Sequence, residues 1–268
     1  MNEEGTAPNL IIEIVTLFPD YFAGLREQSI IGRGIKAGLF EISTINLREY
    51  GLGKHRQVDD TPFGGGGGMA LMLEPLTNCL LDLGYQPRDE QDSKSAESRL
   101  VLTSAAGTRF EQKKAVELSL LKRVTIICGH YLGVDERLLK VFEIEELALG
   151  DFVLTGGEPA AAVMADAICR LTPGALGNFS SALADSHQEG LLGAPVYTRP
   201  ETFRGLSVPN ELLSGNHKEI AQFRRESALK KTAQMRPDIL SRDDVAQELS
   251  KDEQSSIADL RLDDDTVE

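Results

Sequence analysis

Apolar and polar positions alternate along the first two thirds of the chain in short segments that fit strands and helices in turn. Residues 10–17 (LIIEIVTL) and 124–128 (VTIIC) are apolar runs rich in β-branched residues and are typical of buried strands. Shorter strands are predicted over residues 41–47 and 100–103, and helices over residues 20–31, 75–83, 110–122 and 158–171. This alternation predicts an α/β domain with a largely parallel sheet.

The pattern changes after Pro173. Residues 177–190 are loop-like, whereas residues 218–232 predict one strongly amphipathic helix. A domain boundary is therefore expected in the loop. The predicted organisation is an α/β domain over residues 1–176, a linker over 177–184, a helical domain over 185–245 and an acidic tail over 246–268.

Charge is distributed unevenly over the 268 residues, whose net charge is −14. Residues 241–268 hold ten acidic and three basic residues, so half of the net charge lies in a tenth of the chain, and we expect this tail to be solvated. Residues 199–236 instead hold eight basic and four acidic residues. Because phosphate binding depends on such local Lys and Arg, the overall negative charge does not exclude a nucleic-acid partner.

Composition narrows the class of protein. Apolar residues make up 41% and charged residues 26% of the chain, which is ordinary for a globular protein. No stretch approaches the roughly 18 apolar residues of a membrane span, and the acidic, polar N-terminus resembles neither a secretory signal nor a transit peptide. Cys79, Cys128 and Cys169 are widely spaced in apolar sequence and fit reduced, buried thiols. We therefore expect a cytoplasmic protein without a membrane span, a disulfide framework or a Cys-x-x-Cys zinc site.

A run of five glycines, Gly64–Gly68, is the clearest local motif. Glycine lets a backbone approach a ligand closely and adopt positive φ angles. The residues directly upstream (HRQVDDTP, 55–62) favour a functional loop over a flexible linker. The run is not a Walker loop, because no Gly-Lys-Ser/Thr follows it, and no strand in the chain is followed by a Gly-x-Gly-x-x-Gly dinucleotide motif.

Two predicted strands each run into a glycine-bearing turn, in CGHYLGVDER (128–137) and in LGDFVLTGGE (149–158). In open α/β sheets, ligands bind beyond the carboxyl ends of the strands, where glycine exposes backbone N–H and C=O groups. One such turn would be ordinary loop sequence. Two turns in close succession favour a small-molecule pocket.

Two charged residues each allow two interpretations. Asp185 precedes Ser186 and His187, but neighbouring side chains point apart and no Gly-x-Ser-x-Gly motif is present, which excludes a hydrolase triad. Asp185 is either a turn or helix cap or a side chain that reaches into a cleft between domains. Arg170, at the end of the predicted Ala-rich helix, either complements the helix dipole or stabilises negative charge in a pocket.

Long motifs over about residues 10–240 resemble the bacterial tRNA (guanine-N1)-methyltransferase family. They are LFPDYF (17–22), GRGIKAGLF (32–40), HRQVDDTPFGGGGGM (55–69), CGHYLGVDER (128–137), LGDFVLTGGE (149–158), RLTPGALGN (170–178), DSHQEGLL (185–192), YTRPETF (197–203) and LLSGNHKEI (212–220) with RRESALKKT (224–232). The resemblance implies a SPOUT-type α/β domain, with a parallel sheet and a deep trefoil knot, followed by a small α-helical C-terminal domain. It also implies a homodimer that transfers a methyl group from S-adenosylmethionine to N1 of guanosine 37 in tRNA.

The resemblance further implies the site residues. Asp185 would accept the N1 proton and Arg170 would stabilise the negative charge that develops on the base. The residues implied for substrate binding are Asp59, Gly64, Gly68 and Arg199, the last within the basic segment that would follow tRNA phosphates. Those implied for cofactor binding are Leu102, Thr103, Ser104, Gly129, Tyr131, Leu149, Gly150, Asp151, Phe152, Val153, Leu154, Gly156 and Gly157.

The chain departs from the family pattern at Leu132, where the family usually has a glutamate. That carboxylate would lie near the methyl-transfer site, so the Mg²⁺ dependence implied by the resemblance loses one of its supports. Ala105 and Gly67 also differ from the usual proline. The alternative to an active enzyme is therefore a catalytically weakened tRNA-binding homologue.

Overall fold

The predicted strands lie side by side in one parallel sheet in a computed structural model of the chain, which describes residues 8–65, 67–90, 97–177, 186, 190–255 and 257. The chain divides into two units, Met1–Gly177 and Asn178–Glu268. Asp185 and all of the predicted linker except Gly177 lie outside the described residues.

The strands of the first unit are β1 (Ile11–Thr16), β2 (Glu41–Asn46), the short β3 (Asp59–Asp60) and β4 (Ala70–Leu71), β5 (Ser98–Arg109), β6 (Arg123–Cys128) and β7 (Ile144–Ala148). Five of them form one parallel sheet in the order β2-β1-β6-β5-β7. β3 and β4 form a separate antiparallel pair, so Asp59 lies in a short strand and not in the uninterrupted loop that the sequence predicts. The prediction of a mixed α/β unit with a central parallel sheet is confirmed.

Helices cover both faces of the sheet. They are α1 (Ala23–Glu27), α2 (Ser29–Lys36), α3 (Leu73–Asp82), α4 (Gln112–Ser119), α5 (Arg137–Val141) and α6 (Glu158–Cys169), with 3-10 turns at Pro19–Phe22 and Leu47–Tyr50. Side chains alternate across β1, so Ile12 and Ile14 join one buried cluster while Val15 joins the other. α6 contributes to the first cluster and α3 to the second, which produces the near-continuous apolar strands of a sheet covered on both sides.

The glycine-containing segment after residue 31 continues as helix, contrary to the sequence prediction of a helix that ends near Ile31. Gly34 lies against the ring of Phe40 so closely that a Cβ would overlap it. The helix ends in a Schellman motif, in which Gly38 (φ +70°) donates to the Ile35 carbonyl and Leu39 donates to the Gly34 carbonyl, both at 3.0 Å. Close packing therefore explains a glycine that reads as a helix terminator in the sequence.

The second unit is mainly helical in its described part. Its elements are β8 (Thr202–Phe203), β9 (Leu206–Ser207), α7 (Asn210–Leu213), α8 (His217–Met235), α9 (Pro237–Leu240) and α10 (Asp243–Glu248). The buried positions of α8 are confined to its C-terminal half, at Ala228, Leu229 and Thr232. The predicted amphipathic stripe along this helix is therefore wrong, because its N-terminal half is not buried in its own unit.

The start of the acidic tail is packed, which corrects the expectation that residues 246–268 are a solvated extension. Leu249 and Ile257 are buried in the same apolar cluster as Leu229. Ser250 and Glu253 form a reciprocal capping box, and Glu253 also accepts a 2.7 Å hydrogen bond from Arg225 of α8. The last eleven residues of the predicted tail lie outside the described residues.

The cysteines agree with the expectation of buried thiols. Cys79, Cys128 and Cys169 are buried and form no disulfide. Burial raises the pKa of both Cys79 and Cys169 to about 12, so both stay protonated at neutral pH. Among the described residues, no helix is long and apolar enough to cross a membrane.

We expect Gly34→Ala to destabilise the protein, although alanine normally favours a helix by about 0.5–1 kcal/mol over glycine. The new methyl group would overlap the Phe40 ring, which is 1% exposed and packed in the apolar core, so we expect a loss of about 1–3 kcal/mol. Urea denaturation measures this loss. Gly24→Ala in α1 is the matched control, because a Cβ there meets nothing within 4 Å, and it should be neutral or stabilising. Equal stability of the two variants would contradict the packing argument.

Candidate active site

A cavity of about 400 Å³ opens at the carboxyl ends of β5, β6 and β7. This volume lies within the usual range for small-ligand pockets. Twelve of the thirteen residues that the sequence assigned to cofactor binding line it, namely Leu102, Thr103, Ser104, Gly129, Tyr131, Leu149, Gly150, Phe152, Val153, Leu154, Gly156 and Gly157. The two glycine turns therefore meet at one pocket, as the pattern of strand ends predicts.

Asp151 is the exception. Its side chain is 96% exposed and pairs with Arg109 at 3.3 Å, and Asp151 is absent from the described lining of the cavity. The neighbouring Gly150 carbonyl accepts a 2.9 Å hydrogen bond from the Phe152 amide across Asp151. This tight turn leaves the Asp151 carboxylate in solvent, while the residues on either side line the pocket.

Direct backbone contact holds the two glycine turns together. The Gly157 amide donates to the Gly129 carbonyl at 2.7 Å, and the Gly129 amide donates to Thr103 Oγ1 at 3.0 Å. A Cβ on Gly157 would overlap Thr103 Oγ1, and a Cβ on Gly129 would lie 2.5 Å from the Thr103 carbonyl oxygen. Larger residues would therefore separate the turns, which explains why glycine is needed at both positions.

An irregularity in β5 forms one wall of the cavity. The pairing between β5 and β7 shifts register between Thr103 and Thr108, and the intervening Ser104, Ala105 and Ala106 line the pocket. Gly107 makes this detour feasible, because a Cβ there would lie 2.5 Å from the backbone of β7. The strand thus departs from regular pairing where the pocket forms.

The glycine-rich loop reaches the rim of the same cavity. The Leu132 amide donates to the Met69 carbonyl at 3.0 Å, and a Cβ on Gly68 (φ +103°) would lie 3.2 Å from Leu132 Cγ. Leu132 is 65% exposed, and the adjacent Tyr131 has the unusual positive φ of +59°. Of the implied substrate residues, Gly68 thus lies beside the rim, whereas Asp59 and Gly64 are outside the described lining.

Arg170 and Arg199 are absent from the described lining of the cavity. Arg170 follows the last residue of α6, and Gly157 precedes its first residue. With a rise of 1.5 Å per residue, the two ends are about 20 Å apart, so Arg170 is remote from the cavity of its own chain. Arg199 lies in the second unit, in a groove of about 1490 Å³ that also contains Tyr197 and Arg224.

Sequence reasoning missed a buried hydrogen-bond network behind the cavity. Glu158, 3% exposed, accepts hydrogen bonds from Thr16 Oγ1 at 2.6 Å and from His130 Nε2 at 2.7 Å. Burial, and then the negative charge of Glu158, raise the pKa of the Cys128 thiol well above its usual range. The signal in the sequence was a single acid at the start of an otherwise apolar stretch (EPAAAVMA, 158–165).

The donors in this cavity suit an organic ligand better than a metal ion. Backbone N–H and C=O groups of the glycine turns and apolar side chains such as Leu102 and Leu149 line it, which can hold a flat heterocycle and its ribose. The described residues contain no group of three or more His, Cys, Asp or Glu that could hold a metal ion. We therefore assign no step to Mg²⁺.

A glycine-lined pocket beyond the carboxyl ends of a parallel sheet is typical of α/β proteins that bind a nucleotide-like small molecule. Comparison with known proteins shows to which family the chain belongs. The model of the family described as tRNA (Guanine-1)-methyltransferase TrmD matches residues 10–242, and the chain belongs to this family. The resemblance inferred from the motifs is confirmed.

Curated relatives agree over most of their length. The chain is 44% identical over 252 residues to a tRNA (guanine-N(1)-)-methyltransferase of Limosilactobacillus fermentum, covering 94% of this chain and 96% of the relative. It is 45% identical over 234 residues to the protein of the same name from Geobacter sulfurreducens, covering 87% and 92%. It is 48% identical over 229 residues to that of Desulfitobacterium hafniense, covering 85% and 84%.

We expect Gly157→Ala to weaken binding of S-adenosylmethionine, the methyl donor that this family implies, by at least about tenfold. The methyl group would overlap Thr103 Oγ1 and separate the two turns, and misplacement of about 1 Å at a binding site can cost a factor of this order. Isothermal titration calorimetry measures the affinity. Gly24→Ala, outside the described lining of the cavity and with open space around its Cβ, is the control and should bind normally. Unchanged affinity in Gly157→Ala would remove the turns from the binding site.

Proposed function

We propose that this chain transfers a methyl group from S-adenosylmethionine to N1 of guanosine 37 in tRNA. The observation that carries the proposal is the cavity at the strand ends, lined by the residues that match the family's cofactor motifs, in a chain that belongs to the tRNA (Guanine-1)-methyltransferase family. When bound there, S-adenosylmethionine supplies an electrophilic methyl group on a sulfonium. The twelve matched lining residues bind and orient it.

Asp185 is the proposed general base. Guanine N1 carries a proton at neutral pH, so its lone pair becomes available only as a neighbouring group takes that proton. The motif DSHQEGLL, which begins at Asp185, supports this role through the resemblance alone, since the residue lies outside the described structure. Arg170 is proposed to stabilise the negative charge that then develops towards O6, because a guanidinium is a permanently charged donor.

The second unit is proposed to bind tRNA. It contains the basic segment 199–236, in which Arg199 and Arg224 line one groove beside Tyr197. Two guanidinium groups beside an aromatic ring suit phosphates and an unstacked base. Asp59, Gly64 and Gly68 are proposed to border the target guanine. These assignments make residues 1–176 the cofactor-binding domain and 185–245 the tRNA-binding domain.

We propose that the first unit has the deep trefoil knot of the family. The close approach of Gly129 and Gly157, with a backbone bridge between His130 and Gly156, supports a chain that passes tightly through this region. Such a knot is an exception to the usual rule that connections do not thread loops. A tRNA-modifying enzyme of this family is expected in the cytoplasm.

The homodimer with shared active sites that the resemblance implies is also proposed, and the length of α6 supports it. Arg170 and the Gly157 turn lie about 20 Å apart at opposite ends of this helix, too far for the arginine to reach a base at its own cavity. A second copy would supply Arg170 and Asp185 to the first. Symmetric pairing then generates two equivalent sites, each built from both chains.

The comparisons give no support to a weakened tRNA-binding homologue. Leu132 replaces the usual carboxylate, but its backbone amide still joins the glycine-rich loop at Met69. The relatives named above are called methyltransferases and match most of the chain. An active enzyme is therefore the better-supported function.

We expect Asp185→Asn to lower the methyl-transfer rate by about 10²–10⁴-fold, because the amide keeps the size of the side chain but cannot accept the N1 proton. Single-turnover methylation of unmodified tRNA measures this rate, and calorimetry should show unchanged cofactor affinity. Ser186→Ala is the structural control, because Ser186 Oγ accepts a 2.8 Å hydrogen bond from the Gly193 amide. It should lower the melting temperature and leave the rate largely intact. More than about a tenth of the wild-type rate in Asp185→Asn would exclude the role of general base.

Mixing Gly157→Ala and Asp185→Asn chains, at a cofactor concentration that fills only the intact cavity, tests whether each site uses two chains. A dimer of one Gly157→Ala chain and one Asp185→Asn chain would keep one site with an intact cavity and an intact Asp185. Random mixing should therefore restore about a quarter of the wild-type activity. Activity that stays at the level of the separate variants after subunit exchange would show that each site belongs to one chain.

A further inference from the structure

The strongest feature that the proposed function leaves unused is a buried hydrogen-bond network, in which Glu158 joins Thr16 to His130. Thr16 is 1% exposed and Glu158 is 3% exposed, and the two hydrogen bonds to the carboxylate are short, at 2.6 and 2.7 Å. Buried acidic groups are rare unless they are fully partnered. The two donors come from parts of the sequence 142 and 28 residues away from Glu158.

Hydrogen-bond chemistry determines which atoms of this network donate and which accept. Thr16 Oγ1 accepts the Phe18 amide proton at 2.9 Å, and its own hydroxyl proton points to Glu158 Oε1. A carboxylate only accepts, so His130 must donate through Nε2 to the other oxygen. Thr16 therefore both accepts and donates, Glu158 accepts through both of its oxygens, and His130 donates.

This hydrogen-bond network joins the end of β1 to two segments beside the cavity, the turn after β6 and the start of α6. Thr16 is the last residue of β1, His130 lies two residues after β6, and Glu158 is the first residue of α6. His130 lines the cavity and its backbone bridges Gly156, whereas neither Thr16 nor Glu158 is among the described lining residues. Thr16 and Glu158 therefore act on the glycine turns from behind.

We propose that Thr16, Glu158 and His130 are positioning residues that hold the Gly129 turn and the Gly156–Gly157 turn at the spacing required for S-adenosylmethionine. The inference rests on the proposed function for the identity of this ligand. This network sets cofactor affinity and leaves the methyl-transfer step unchanged, because none of its hydrogen bonds involves the residues assigned to proton transfer.

A purely structural role makes a different prediction. If the network only stabilised the fold, its loss would lower the melting temperature without changing the affinity of the folded protein for S-adenosylmethionine. A positioning role requires that affinity falls in protein that remains folded. Thr16 is the best residue for this test, since it makes the hydrogen bond without lining the cavity.

The experiment compares Thr16→Val with Thr16→Ser by calorimetric titration with S-adenosylmethionine. Valine keeps the shape and removes the hydroxyl that donates to Glu158 and accepts from the Phe18 amide, whereas serine keeps both hydrogen bonds. We expect Thr16→Val to bind at least about tenfold more weakly, the factor associated with losing one hydrogen bond to a charged group. Thr16→Ser should bind within about threefold of wild type, and kcat for methylation at saturating cofactor should change by less than about threefold in both.

Thr232→Val is the matched control. Thr232 is also fully buried and also both donates, to the Ala228 carbonyl at 2.7 Å, and accepts, from the Leu192 amide at 3.0 Å, but it lies in the second unit. It should lower the melting temperature and leave cofactor affinity unchanged. A second pair of variants tests the other donor of the network. His130→Gln retains a donor and His130→Leu removes it, so the Gln variant should bind S-adenosylmethionine more tightly than the Leu variant.

Equal affinity of wild type and Thr16→Val, with only the melting temperature lowered, would overturn the positioning role and leave the proposed function intact. A fall in kcat at saturating cofactor with unchanged affinity would also overturn it. Absence of S-adenosylmethionine binding by the wild-type chain would overturn both proposals, and this titration comes first.

Discussion

The close approach of two backbone turns is the constraint on which the candidate site depends. The Gly157 amide reaches the Gly129 carbonyl at 2.7 Å only because neither residue carries a side chain. Parallel strands bring both turns to the same edge of the sheet, and the break in β5 opens space beside them. The pocket is therefore made largely from main chain, which offers donors and acceptors in fixed directions.

Side chains behind the pocket complete this arrangement. Thr16, Glu158 and His130 tie β1, α6 and the turn after β6 together through buried hydrogen bonds. α6 then extends away from the pocket and carries Arg170 at its far end. One helix thus links the proposed cofactor site of one chain to the proposed catalytic residues that would serve a second chain.

Local sequence patterns predicted those parts of the fold that local forces determine. The apolar runs of β1 and β6 are buried on both faces, so their strand character is evident without tertiary information. Gly34 misleads because its reason is a contact with Phe40 that only the folded chain creates. Ile257 misleads in the same way, since an apolar residue in an acidic tail gains a partner only from the core of the second unit.

The same distinction applies to the site. Glycines at strand ends predict a pocket, and the family motifs indicated twelve residues that line it. The Thr16–Glu158 contact joins residues 142 positions apart, and no periodicity or spacing indicates such a pair. Asp185, on which the proposed chemistry rests, is known from its motif alone.

Transfer of a labelled methyl group from S-adenosylmethionine to tRNA tests the central claim most directly. The substrate is an unmodified transcript with guanines at positions 36 and 37, and the comparison transcript carries adenine at position 37. The account predicts label in the first transcript, located at N1 of guanosine 37, and none in the second. Absence of label in the first transcript, or label at another atom or position, would contradict it.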